Sequence, residues 1–382
     1  TNPLTIAHPL LSLLLPAAAQ DVELVSRAAA ASAVLPARFV DASADARFVL
    51  VSSEAPNVLP GQVDPTDSSD LFLVDRTAGT TALVTHRGDQ LTASSAGANL
   101  GAVSEDGRTV VFLSGEVGLV AGFDSLGNRQ AYAYDTATGS VTPLTRSAAQ
   151  PNQGGSGGTD QISVDAAGRI AAVRSRATDL VPGFVDGGAG PDAFAYLLAT
   201  GAPVLVSRDA VNPNLGSGPL PPTNSSGLTD VFVSRDGSHV TFSTSATNVL
   251  AGYSNPGPFN PTGVYLTEIA TGTVTLVNRR AGQPTTVSED SGEFLGMTPD
   301  ASRVLLRSGG DDLDPGEPFG FTRGLYLFDR AAGTNSFIAG DVSSARSSDD
   351  GGRVVLASRR DAGSLLAGAE AATSGLYENT QK

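Results

Sequence analysis

At 382 residues the chain exceeds the roughly 250–300 that one hydrophobic core supports, so it is several domains or one architecture of modules. Its 24 Lys and Arg against 39 Asp and Glu leave a formal charge of −15, which repels phosphate backbones and excludes nucleic acid as an expected partner. The absence of cysteine excludes disulfides, thiolate zinc sites, iron–sulfur clusters and cysteine nucleophiles, and the absence of tryptophan removes the usual sugar-stacking residue.

Residues 1–20, TNPLTIAHPLLSLLLPAAAQ, are apolar and broken by Pro3, Pro9 and Pro16, too short to span a bilayer. The run around Leu11, Leu13, Leu14 and Leu15 followed by Ala17-Ala18-Ala19 reads as an export signal, an internal strap, or an arm docking on a membrane surface or partner protein. An arm that tethers the chain to a membrane-associated complex is the expected role of residues 1–20. All three place the protein outside the cytoplasm, periplasmic or extracellular.

From residue 21 onward the chain repeats itself. A turn signature recurs as Ser43-Ala44-Asp45, Ser104-Glu105-Asp106, Ser163-Val164-Asp165, Ser234-Arg235-Asp236, Thr298-Pro299-Asp300 and Ser347-Ser348-Asp349. The Asp-to-Asp spacings of 61, 59, 71, 64 and 49 are those of a module of four strands. Each turn leads into a β-rich run, then a loop of the type Asp179-Leu180-Val181-Pro182-Gly183. An aromatic-centred strand follows, carrying Phe72, Tyr132, Phe194, Tyr265, Tyr326 or Tyr377. Five of those strands run into a Gly turn and a fourth strand.

Six such units with no helical periodicity predict an all-β, six-bladed β-propeller with four-stranded blades over residues 21–379, leaving 380–382 as a tail. The sixth unit lacks its fourth strand. Residues 21–27 (DVELVSR) match Ala202–Arg208 and are expected to supply it, closing the ring and removing its open edges.

The pattern S-x-D-G-R-x-V-x-F over Ser104–Phe112, the Leu180–Gly183 loop and D-x-F-x-x-D over Asp70–Asp75 together resemble the TolB-type propeller repeat. The resemblance covers nearly the whole chain after residue 20 and concerns the repeat. It implies an exported bacterial protein that binds other proteins, and it carries over no active site.

The residues themselves offer few catalytic groupings. The Ser-x-Asp turn resembles a sialidase Asp box, but that repeat carries a Trp absent here, and Arg38 and Arg346 do not make an arginine cluster. His86 and His239 fall in different blades and layers, so a shared Ser/His/Asp triad is not expected, and each reads as a satisfied or solvated histidine. Asp64, Asp67 and Asp70 form one acidic loop. Asp311, Asp312, Asp314 and Glu317 form another and are the candidate Ca²⁺ ligands, against the preferred reading of a solvated acidic turn. No other cofactor is expected.

Inner-strand polar residues Arg38, Asn99, Asp160, Gln161, Asp230 and Glu293 make no obvious catalytic set. Arg38, Asn99 and Glu293 are, with the leucines of the arm, the candidate partner-binding residues. The expected function is that of a non-enzymatic binding or scaffold protein docked on a membrane-associated complex, with an integral membrane complex among the expected partners. The alternative is a polysaccharide hydrolase or lyase with its site at the central channel.

Overall fold

The computed structural model describes residues 37–65, 68–94, 97–188, 190–218, 228–255, 257, 260–316, 322–349, 353–358 and 375–380. Alternation of apolar and polar residues between Gly- and Asp-rich turns gives strands throughout. The first sheet comprises β1 (Arg38–Ala42), β2 (Phe48–Ser53), β3 (Asp70–Asp75) and β4 (Thr80–Leu83). A two-stranded hairpin follows, β5 (His86–Arg87) with β6 (Gln90–Ser94), an element the repeat pattern does not announce. The second sheet is β7 (Leu100–Val103), β8 (Thr109–Ser114), β9 (Gln130–Asp135) and β10 (Ser140–Pro143). The third is β11 (Thr159–Val164), β12 (Ile170–Ser175), β13 (Asp192–Leu197) and β14 (Ala202–Leu205).

The fourth sheet is β15 (Thr229–Val233), β16 (His239–Thr244), β17 (Gly263–Glu268) and β18 (Val274–Leu276). The fifth is β19 (Gly292–Met297), β20 (Arg303–Ser308), β21 (Gly324–Asp329) and β22 (Thr334–Gly340). The last has three strands, β23 (Val342–Ser347), β24 (Arg353–Ser358) and β25 (Gly375–Thr380). Every sheet is an antiparallel meander in chain order. The first strand of one sheet packs beside that of the next in the pairs β1–β7, β7–β11, β11–β15 and β19–β23, the arrangement of β-propeller blades. Residues 1–20 and the strand expected over 21–27 lie outside the described residues. Among the described residues nothing pairs on the outer edge of β25.

The core lies between neighbouring sheets. Phe112 and Tyr132 pair across β8 and β9 and stack with ring centroids 5.4 Å apart. Phe242 and Tyr265 do the same across β16 and β17 at 5.5 Å. Phe72, Tyr132, Phe194, Tyr265 and Tyr326 are all fully buried, each third in its strand.

Backbone groups left over at sheet edges are taken by the neighbouring unit, as buried donors require. Val103 N donates to Asp41 Oδ2 at 2.9 Å, and Val231 N donates to Gln161 Oε1 at 2.9 Å. Each of the first four connectors between sheets is clipped to the loop behind it and the loop ahead. Asp124 bridges to Gln153 while Ala148 N donates to Asp179 O, and Val185 bridges to Leu215 while Ala210 N donates to Asn248 O.

The turn signature has a clear geometry, and it corrects two of the six registers. Ser104 Oγ donates to Asp106 Oδ1 (2.6 Å) and accepts Thr109 N (3.0 Å), while Asp106 Oδ1 accepts Arg108 N (3.0 Å). Ser43, Ser234 and Thr298 repeat this arrangement. In the third unit Asp165, not Ser163, takes the serine's place, accepting Arg169 N and Ile170 N on Oδ1. In the sixth, Ser348 takes it, accepting Arg353 N at 3.0 Å, so Asp349 falls in the middle position of the turn.

The fourth residue of each of the first five turns is left-handed: glycine at 107, 168 and 237, but alanine at Ala46 (φ 54°) and Ala301 (φ 52°). An L-residue there is strained by about 1–2 kcal/mol. Ala46→Gly and Ala301→Gly are each expected to stabilise the protein by roughly 0.5–1 kcal/mol, offset in part by the freer unfolded chain. Urea midpoints check this, and a lower midpoint in both variants would refute it.

Candidate functional site

The second residues of the six turns are Ala44, Glu105, Ala166, Arg235, Pro299 and Asp349. Backbone bonds link these turns laterally, with Glu105 N donating to Ala166 O and Ala166 N to Arg235 O, both within 2.9 Å. Arg235 Nη2 lies 2.6 Å from Glu105 Oε1, and its Nη1 lies 3.8 Å from Asp349 Oδ2. Glu105 Oε2 also accepts Ala44 N at 2.6 Å. Glu105, Arg235 and Asp349 belong to the second, fourth and sixth sheets, so their charges meet over the axis that the inner strands share. Below them, burial pushes the Asp41 carboxyl above its usual range, hydrogen bonds from Val103 N and Ala42 N oppose this, and the Glu105 charge adds to the rise. No sequence motif pointed to this cluster. The signal was present, though, as the one turn position that varies freely while its neighbours repeat.

The opposite end of the axis holds the residues that the sequence singled out. Arg38 and Asn99 are exposed. Glu293 is engaged: its Oε2 accepts Arg307 Nη2 at 2.6 Å, with Arg323 Nη1 at 3.7 Å, and Arg307 Nη1 donates to Val342 O and Ser343 O. Asp160 holds Arg174 in the same manner at 2.6 Å, and Arg174 reaches Leu228 O. Glu293 and Asp160 therefore steady arginines that tie one sheet to the next. Phe232 and Phe294 stack between β15 and β19 at 5.2 Å, and Phe39 stands 70% exposed. Leu11, Leu13, Leu14 and Leu15 lie outside the described residues.

Of the Ca²⁺ candidates, Asp312 and Asp314 serve the fold. Asp312 Oδ1 accepts Ser288 Oγ at 2.6 Å, and Asp312 O accepts Ala281 N at 2.8 Å, which clips the fourth connector to the fifth sheet. Asp314 accepts Gly316 N at 2.9 Å and Phe337 N at 2.8 Å. Asp311 is exposed, and Glu317 lies outside the described residues. Among the described residues no three His, Asp or Glu side chains are grouped to hold a metal ion.

The two described histidines are both buried. At His239 the always-protonated Arg330 guanidinium faces Nε2 at 2.5 Å, so that nitrogen accepts and Nδ1 carries the proton. Nδ1 then donates to Ser238 Oγ (2.6 Å), which donates to Asp236 Oδ1 (2.6 Å). The three residue types of a catalytic triad are present, but the serine proton rests on the aspartate and the nitrogen that would act as base is occupied. His86, expected to be satisfied or solvated, is fully buried and meets Tyr134 edge-on at 5.7 Å, and among the described residues neither ring nitrogen has a partner at hydrogen-bond geometry.

No family model and no curated sequence matches the chain. Solved structures do. TolB from Acinetobacter baumannii matches with a TM-score of 0.38 and 14% identity over 76% of this chain, which spans 54% of that one. Oligogalacturonate lyase from Vibrio parahaemolyticus matches with a TM-score of 0.47 and 12% identity, over 89% of this chain and 73% of that one. The β-propeller domain of the Trilobed protease from Pyrococcus furiosus gives 0.47 and 11%, over 91% and 83%. The chain resembles these propeller proteins at the level of the repeat, and the blade arrangement itself rests on the sheet order and inter-sheet packing described above.

Proposed function

We propose that the protein is a six-bladed propeller, closed by residues 21–27 pairing on β25, that serves outside the cytoplasm as a protein-binding or scaffold subunit of a membrane-associated complex. The observation that carries the reading is the mutual pairing of the axial charges. Arg235 lies between Glu105 and Asp349, Arg307 is held by Glu293, and Arg174 by Asp160. A catalytic site needs acids and bases left poised for a substrate, with environments that drive their pKa values apart. Groups spent on one another instead shape a fixed polar surface, the kind on which a partner is read. Residues 1–20 are the tether in this proposal.

The test is cross-linking in cells that export the full chain, followed by purification from the membrane fraction. One defined partner is expected, lost on deleting residues 1–19 while the melting temperature holds. Arg235→Ala, which removes only half-exposed ion pairs, is expected to cost under about 1 kcal/mol of stability. A chain that fractionates alone in soluble form, or that cleaves polysaccharide with activity abolished by Arg235→Ala, would overturn the proposal.

A further inference from the structure

The repeat exposes an omission at one junction between sheets. The residue after the buried Thr85, Thr145, Ser207 or Asn278 corresponds, junction by junction, to the fifth residue of the next sheet's third strand. At two junctions it meets a ring: His86 faces Tyr134 edge-on, and the Arg279 guanidinium lies 5.0 Å from the centre of the Phe328 ring. At a third, the pair is Arg146 and the buried ring of Tyr196. Between the third and fourth sheets the corresponding pair is Arg208 and Thr267, with no ring.

The missing ring leaves space. Two adjoining cavities of about 410 Å³ and about 100 Å³ share Arg208 and Gly272 as walls. Val249, Leu250 and Val274 line the larger, and Thr267 lines the smaller. Thr267 is only 3% exposed, and among the described residues its Oγ1 has no hydrogen-bond partner, an uncompensated cost in a buried hydroxyl. The Arg208 guanidinium donates to Gly272 O at 3.3 Å and, among the described residues, has no carboxylate within ion-pair reach. Neighbouring Asp209 is already saturated, by Val211 N, Asn212 N and the Asn248 side chain. The junction thus keeps the cation and a hydroxyl while lacking the ring that three other junctions of this chain supply.

We propose that this junction is a pocket for an aromatic side chain carried by a partner protein, its ring against Arg208 and its polar edge toward Thr267 Oγ1. This deepens the protein-binding reading above and rests on it.

N-acetyl-tyrosinamide titrated into the full chain, followed by saturation-transfer NMR, is expected to bind saturably. N-acetyl-leucinamide should bind roughly threefold to tenfold more weakly, the range a ring over a cation contributes. Thr267→Phe, which supplies the ring as Phe328 does, should leave the melting temperature undiminished and abolish binding. Thr267→Val keeps the shape, removes the hydroxyl, and should erase any preference for N-acetyl-tyrosinamide over N-acetyl-phenylalaninamide. Arg208→Gln should weaken tyrosinamide several-fold, an arm that stands even if Thr267→Phe misfolds. Absence of saturation up to roughly tens of millimolar, the weakest regime worth calling a site, or binding that survives in a folded Thr267→Phe, overturns the pocket. A membrane partner that still copurifies with Thr267→Phe also overturns the pocket and leaves the scaffold reading intact. A pocket that binds tyrosinamide in a chain with no partner overturns the scaffold reading alone.

Discussion

Phe112→Ala is expected to cost about 3–5 kcal/mol, the range for truncating a fully buried aromatic. Phe112 is inaccessible to solvent, stacks on Tyr132, and packs in one cluster with Phe48, Leu50 and Leu71 of the first sheet and with Val103. Its loss would hollow the seam between the first two sheets from both sides, and neither sheet can move inward without breaking the clip from Val103 N to Asp41. Phe39→Ala, at a position 70% exposed, supplies the contrast and should stay within about 0.5 kcal/mol of the wild type. Urea denaturation reads both, and a Phe112→Ala protein within about 1 kcal/mol of wild type would contradict this account of the core.

Acid should loosen the fold through its two buried histidines. Burial pushes the pKa of both His86 and His239 below the ordinary value; at His239 the Arg330 charge deepens the shift, while Glu268, Asp236 and Asp300 oppose it. At His86 the Gly139 and Gly88 carbonyls oppose burial without reaching hydrogen-bond geometry. A histidine whose folded pKa is depressed binds its proton more readily in the unfolded chain. Its contribution is therefore complete above about pH 6.5 and is lost as the pH falls toward the folded value. Two such groups give a slope of at most about 2.7 kcal/mol per pH unit, so a loss of about 1–3 kcal/mol is expected between pH 7 and pH 5.

Asp41 and Asp192, both raised by burial, work in the opposite direction, because a carboxyl that binds its proton more readily in the folded chain favours the fold as the pH falls. Asp75, held at about 2 by Arg47, and Asp300, held at about 2 by Ser302, add their losses only below about pH 4. Stability curves at pH 7, 6 and 5 for wild type and a His86→Phe, His239→Gln double variant make the test. An equal acid loss in both proteins would remove the histidines from the explanation.

The repeat was legible because its turns are chemically exacting. A left-handed fourth residue and a Ser Oγ shared between a carboxylate and a backbone N–H leave few residue types to choose from, so Ser104-Glu105-Asp106-Gly107 announces itself. Legibility failed where two residue types meet the same demand. Asp165 alone accepts the two N–H groups that the serine and the aspartate of the other turns divide between them, so the third turn reads two residues out of register in sequence. The axial cluster was illegible for a different reason: Glu105, Arg235 and Asp349 are far apart in the chain and each looks like an ordinary solvated turn residue. Only the stacking of sheets brings them together. Glu293 shows the converse, a polar residue on an inner strand that reads as a free recognition group but is spent on Arg307.

The turn also divides its labour among its residues. The first and third close the backbone, the fourth supplies the left-handed bend, and the second does neither, projecting toward the axis at Glu105, Arg235 and Asp349. Selection, or a protein engineer, can therefore rewrite the electrostatic face around the axis one letter per blade, with the hairpins indifferent to the spelling. A basic, an apolar or a histidine-bearing face is a few substitutions away on an unchanged frame, and the same body can thereby change its docking partners without learning to fold again.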